Sequence, residues 1–232
     1  MKNLVHRIFL HCTAALLAAA PVLSSFGDEA PPAPAAADDA AAPVPMARDQ
    51  AVDVGSVRVD PVTRSLAAPG WVNQVSGAIE LLACGPGGKT HESVFVLDVK
   101  PTDLQAALLL AGLRPGQGLT GLGQGRPQGA ALDLWVEWQD GDRARRERAE
   151  RFVFNTEERK VLPATPWVFT GSVFEDGEFK ASAEESLVAT YWDPWAIINI
   201  PLACGTNDEI LCVNTNLVPP LQTRVTLRIR AH

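Results

Sequence analysis

From Val54 onward apolar and polar residues alternate at a period of two, and the alternating stretches are rich in β-branched and aromatic side chains, the pattern of half-buried strands. Segments 54–59, 63–67, 79–83, 92–99, 131–138, 151–154, 167–174, 187–191 and 224–229 carry it. Turn dipeptides stand between strand-like residues at Asp60-Pro61, Asp140-Gly141 and Asp176-Gly177, which predicts three hairpins. The period changes at Pro101, where Leu104, Ala107, Leu108 and Ala111 share one face at helical spacing. Pro101 suits a first turn, Asp103 favours the positive end of a helix dipole and Gly112 supplies a stop, so a helix is predicted over about residues 101–112. Residues 194–199 read as a short helical turn or as a buried strand. Six Gly and two Pro between Arg114 and Gly129 predict a long, mobile Gly-rich loop. The sum is an α+β domain, mainly antiparallel β-sheet with one clear helix.

The N-terminal pattern is of another kind. Lys2 and Arg7 precede an apolar run from Ile8 to Leu23, shorter than the ~20 residues a membrane span needs, and small residues follow at Ser25 and Gly27. This predicts a secretory signal peptide over residues 1–27, an exported protein in the periplasm or outside the cell, and no transmembrane span after cleavage. Cys12 lies too early in the run for a lipoprotein cleavage box. Residues 28–52 are dominated by Ala, Pro and Asp, with too little apolar surface to offset the entropy of ordering, and read as a disordered tether. A single globular domain, 53–232, remains, long enough for one well-buried core.

Charge narrows the function. The chain has 20 Lys and Arg against 27 Asp and Glu, a formal charge of −7, which excludes a strongly basic nucleic-acid binder. Arg143, Arg145, Arg146, Arg148 and Arg151 cluster after Asp140-Gly141. With Glu147 and Glu150 among them, in an acidic domain, they read as a solvated hairpin arm with charge on both faces rather than as an anion contact. Trp135 and Trp138 are an odd number of residues apart on a strand, so one of them faces away from the core. An exposed aromatic strip would suggest an envelope protein or a carbohydrate as partner.

Candidate chemistry gathers near residue 84. Ala83-Cys84-Gly85-Pro86-Gly87-Gly88-Lys89-Thr90 resembles a relaxed phosphate-binding loop, but a strand pattern follows where a helix is required, so a glycine-rich hairpin between two strands is the better reading. His91-Glu92 lacks the second His of a zinc peptidase helix. On a regular strand His91 and Glu92 point to opposite faces and cannot share one ion, and the expectation of chemical inertness rests on that extended backbone. Cys84, Lys89, His91 and Glu92 form the candidate functional patch, with an enzyme or metal site there as the alternative to a non-catalytic module. No cofactor is called for by any spacing. Beyond the leader three cysteines remain; Cys204 and Cys212 are the candidate disulfide, which leaves Cys84 free and opens a thiol-disulfide redox reading.

One resemblance joins these pieces. Gly88-Lys89-Thr90-His91-Glu92-Ser93, Lys100-Pro101-Thr102-Asp103-Leu104-Gln105-Ala106-Ala107-Leu108-Leu109, Gly112-Leu113-Arg114-Pro115-Gly116, Trp167-Val168-Phe169-Thr170-Gly171-Ser172 and Asp193-Pro194 follow in an order that resembles the YdjY-type domain of exported, planctomycete-like bacterial proteins. The resemblance covers roughly Val54 to Ile229 and implies an exported domain of undefined biochemical role. Some members are called ferredoxin-like, but this chain has no C-x2-C spacing, so no iron-sulfur cluster is expected.

Overall fold

The computed structural model describes residues 50–232. The predicted leader (1–27) and nearly all of the predicted tether (28–52) lie outside the described residues. Eleven strands form the main sheet: β1 (Val52–Val54), β2 (Val57–Asp60), β3 (Ser65–Val72), β4 (Leu81–Cys84), β5 (Ser93–Leu97), β6 (Ala130–Asp140), β7 (Arg143–Arg148), β8 (Trp167–Phe169), β9 (Ser186–Ala189), β10 (Ile198–Asn199) and β11 (Arg224–Ala231). Eight of them close into a barrel in the order β3, β11, β6, β8, β10, β9, β4, β5 and back to β3. The β4–β5 and β9–β10 pairs are parallel and the other six antiparallel.

The protein is therefore mainly β, which corrects the α+β expectation. Helix α1 (Pro101–Leu110) and the five-residue α2 (Lys180–Glu184) are too little to form a second layer. Alternation does its work inside the barrel: Leu132, Leu134 and Val136 of β6 and Val225, Leu227 and Ile229 of β11 are buried in one core with Trp167, Phe95 and Phe152. Leu104, Ala107 and Leu108 of α1 join it. The helix stops where expected, because Gly112 adopts φ +73°, its N–H donates to the Leu109 carbonyl, and the Leu113 N–H donates to that of Leu108.

Closure depends on two strands that change partners midway. Along one edge, β3 pairs with β2 through Ser65–Ala67 and with β5 through Gly70–Val72, while its other edge stays on β11. Gly70 makes the exchange possible: a Cβ there would lie 2.3 Å from the Val96 carbonyl oxygen of β5. Likewise β6 pairs with β8 through Ala130–Leu132 and with β7 from Trp135 to Asp140.

All three predicted hairpins form, at 60–65, 140–143 and 174–179. Other boundaries differ. Residues 54–59 are a hairpin, β1–β2, turning at Gly55-Ser56 rather than one strand. The predicted strand 151–154 begins as a 3-10 turn, Ala149–Phe152, and 167–174 ends at Phe169. Ile198–Asn199 is the buried-strand alternative for 194–199. The Gly-rich loop is a loop, but a pinned one: its Leu119–Gly121 and Gln124–Gly125 pair with each other, Gly116 and Gln117 donate to the Thr170 carbonyl, and Gly123 donates to that of Trp192.

Substituting Gly70→Ala is expected to destabilise the protein by about 1–3 kcal/mol, as overpacking does. Thermal unfolding of the variant, read by circular dichroism, checks this; an unchanged melting temperature would mean that β3 and β5 are not in contact.

Candidate functional site

The glycine-rich segment leaves β4 at Cys84 and is moulded around one side chain; it is not the expected hairpin, because β4 and β5 run parallel. Glu185, at the end of α2 with φ +48°, accepts a hydrogen bond at its carbonyl from Gly85 N–H (2.8 Å) and at Oε2 from Gly87 N–H (2.6 Å). A Cβ at Gly85, Gly87 or Gly88 would fall 2.3, 3.0 or 3.1 Å from Glu185 or its neighbour. The backbone donors that a phosphate would use are thus taken internally, Gly87 N–H by the Glu185 carboxylate and Gly85 and Gly88 N–H by the carbonyls of Glu185 and Gly85, and the glycines are explained by packing.

Beyond the turn the chain coils. Thr90–Glu92 is a 3-10 turn, not a strand, because Ser93 Oγ donates to the Lys89 carbonyl and Asn73 Nδ2 donates to the carbonyls of Thr90 and Ser93. The extended backbone on which inertness was inferred is therefore corrected: His91 Nε2 lies 3.7 Å from Glu92 Oε1, on the same side. Lys89 Nζ donates to Glu80 Oε2 at 2.6 Å. Burial alone would lower the Lys89 pKa, but Glu80, with Glu92 and Asp193 beyond it, turns the net shift upward.

Lys89, His91 and Glu92 thus share one turn, with the His91 side chain 76% exposed. Cys84 does not join them at the surface. It is fully buried in a small apolar cluster with Leu81, Val96, Ala189 and Ala196, and burial raises its thiol pKa, the opposite of what a nucleophile needs. Among the described residues no three or more His, Cys, Asp or Glu gather as a metal would require.

The expected Cys204–Cys212 bridge is not formed, and Cys84, Cys204 and Cys212 are free thiols. Cys204 sits in a 3-10 turn, Ala203–Thr206, packed on the core, whereas Cys212 is held in a strand, Leu211–Val213, paired with Val153–Asn155. Burial raises both pKa values.

Sequence reasoning missed the chemistry on the outside of β7, β6 and β11. With the core residues of β6 and β11 pointing inward, Asp133, Trp135, Glu137 and Gln139 face outward beside Arg224, Thr226, Arg228 and Arg230. Arg148 lies opposite Trp135 and Arg146 opposite Glu137. Three guanidiniums surround the Trp135 ring, those of Arg146, Arg148 and Arg230 at 4.4, 5.5 and 5.9 Å from its centroid, and Arg224 lies 5.7 Å from Trp71. Trp138, on the opposite side of β6, packs edge-on against Phe152 in the core, as the odd spacing requires.

The carboxylates on this face are shared. Glu137 lies 2.8 Å from Arg228 and 3.6 Å from Arg146, and Asp133 3.1 Å from Arg148 and from His232. Arg148 is anchored further by the fully buried Glu150, which also accepts from Thr165 N–H and Trp167 Nε1. Burial, with Arg228 and Arg230 crowding it, lowers the Arg146 pKa. Arg228 Nε is shielded from solvent without a hydrogen-bond partner. A concavity of about 450 Å³ opens here, lined on the outer face by Glu137, Gln139, Ala144, Arg146, Arg224 and Thr226, with the inward-turned Trp138, Arg145 and Val225 contributing between them.

Fold and surface together define a closed β-barrel domain with an arginine- and tryptophan-rich outer face. The YdjY domain family model matches residues 57–230, and the chain belongs to that family. No curated protein and no solved structure matches it. Among the described residues no helix is long and apolar enough to cross a membrane.

Two outcomes follow. Asp193 is buried, accepts from Trp195 N–H, and has its pKa raised, first by burial, so the folded state holds its proton more tightly than the unfolded chain. Its contribution is most favourable in acid and is lost as pH rises through the raised pKa. Asp193→Asn should therefore melt higher than wild type at pH 7, with the gap closing in acid; melting curves across pH check this. Alkylation in denaturant without reductant, followed by peptide mass spectrometry, should label Cys84, Cys204 and Cys212 alike, and protection of the last two would restore the disulfide.

Proposed function

We propose that this protein is an exported, non-catalytic binding module of the cell envelope, and that its binding surface is the outer face of β7, β6 and β11. The observation that carries this reading is the convergence of Arg146, Arg148 and Arg230 on Trp135, on a domain whose residues 53–232 hold 17 Lys and Arg against 22 Asp and Glu. Gathering like charges against the domain's own sign costs free energy, and an anionic partner relieves it. Export rests on the basic and apolar leader. The absence of catalysis no longer rests on strand geometry at His91. It is supported by Cys84, which is walled off from solvent, and by the exposure of the His91 ring on a turn, where no low-dielectric site tunes it.

Retention on immobilised dextran sulfate is the test. Despite its acidic isoelectric point the protein should be retained at low salt, and Arg224→Gln/Arg230→Gln should elute at clearly lower salt, because both side chains are exposed on this face. Elution of wild type and variant together would contradict the assignment.

A further inference from the structure

The concavity on this face has a chemistry of its own, distinct from the surrounding charge. Arg224 and Arg146 present guanidinium forks, which match a carboxylate bidentately. Between them stand an amide, a hydroxyl and a carboxylate, from Gln139, Thr226 and Glu137, and the Ala144 methyl. At about 450 Å³ it falls within the ~300–1,000 Å³ range of small-ligand sites, rather than forming a flat protein-docking surface. Both edges of β6 are already paired here, to β7 and to β11, so an acidic peptide gains no backbone pairing from the sheet. A sugar acid needs none: its carboxylate suits the forks, its hydroxyls suit the amide, hydroxyl and carboxylate, and its apolar ring face suits the Ala144 methyl.

Resting on the binding reading above, we propose that the concavity over β7, β6 and β11 is a subsite for a carboxylate-bearing sugar, the uronic-acid unit of an acidic polysaccharide. Arg224 and Arg146 hold the carboxylate. Glu137, itself held by Arg228, accepts from a sugar hydroxyl and disfavours a second anionic group at the same place. That pairing of attraction and repulsion separates a uronate from a densely charged peptide.

Isothermal titration of the full processed chain with trigalacturonate, maltotriose and triglutamate tests this. Trigalacturonate should bind, with maltotriose and triglutamate each at least tenfold weaker. Arg224→Gln should weaken trigalacturonate about tenfold, and Arg224→Lys should recover only part of the loss because the ammonium cannot fork. Circular dichroism melts of both variants separate lost binding from lost folding. Equal binding of triglutamate, or no binding of trigalacturonate while dextran sulfate retention stays arginine-dependent, overturns the sugar assignment and leaves the binding face standing. Loss of both the retention and the titration signal overturns the two together.

Discussion

Everything in this domain hangs on the middle of β3, where the strand leaves β2 and takes up β5. Without that exchange the eight ring strands are an open sheet with two long edges, and open edges invite association with other chains. Pro69 and Gly70 mark the point of exchange. Proline lacks an N–H to offer a new neighbour, and glycine lacks the Cβ that would strike the Val96 carbonyl. The exchange at these two residues lets Phe95, Leu132, Trp167 and Leu227 share one core.

Closure also produces the arginine- and tryptophan-rich outer face. Once the inner face of β6 is committed to Leu132, Leu134 and Val136, the alternation of the strand sends Trp135 and Glu137 outward. The neighbouring strands then deliver guanidiniums to them from both sides, Arg146 and Arg148 from β7 and Arg228 and Arg230 from β11. Glu150 fixes Arg148 from below, so the array is built on rigid strands and not on loops.

What was legible in the chain is what depends on near neighbours. The stop at Gly112, the three hairpin turns and the outward aim of one of Trp135 and Trp138 follow from spacing alone. The extended reading at His91 failed because the coil is held by Asn73, eighteen residues earlier, through a side-chain contact no local pattern records. The glycine-rich segment after Cys84 turns but makes no hairpin, since β4 and β5 run parallel, and its mould, Glu185, lies about a hundred residues away. The arginines of 143–151 look like a solvated arm in the sequence because Arg228 and Arg230, which complete the array, reach it only through the β6–β11 pairing. Closure itself left little trace, since nothing in the alternation of β3 says that one edge serves two partners. The helix was visible, yet one helix beside a barrel does not make an α+β fold.

Interstrand nuclear Overhauser contacts measure the closed ring directly. Residues 70–72 should show contacts to residues 95–97 and, at the same time, Gly70 and Trp71 should show contacts to Val225 and Arg224. Contacts to β11 without those to β5 would mean an open sheet, and would contradict the barrel and the surface derived from it.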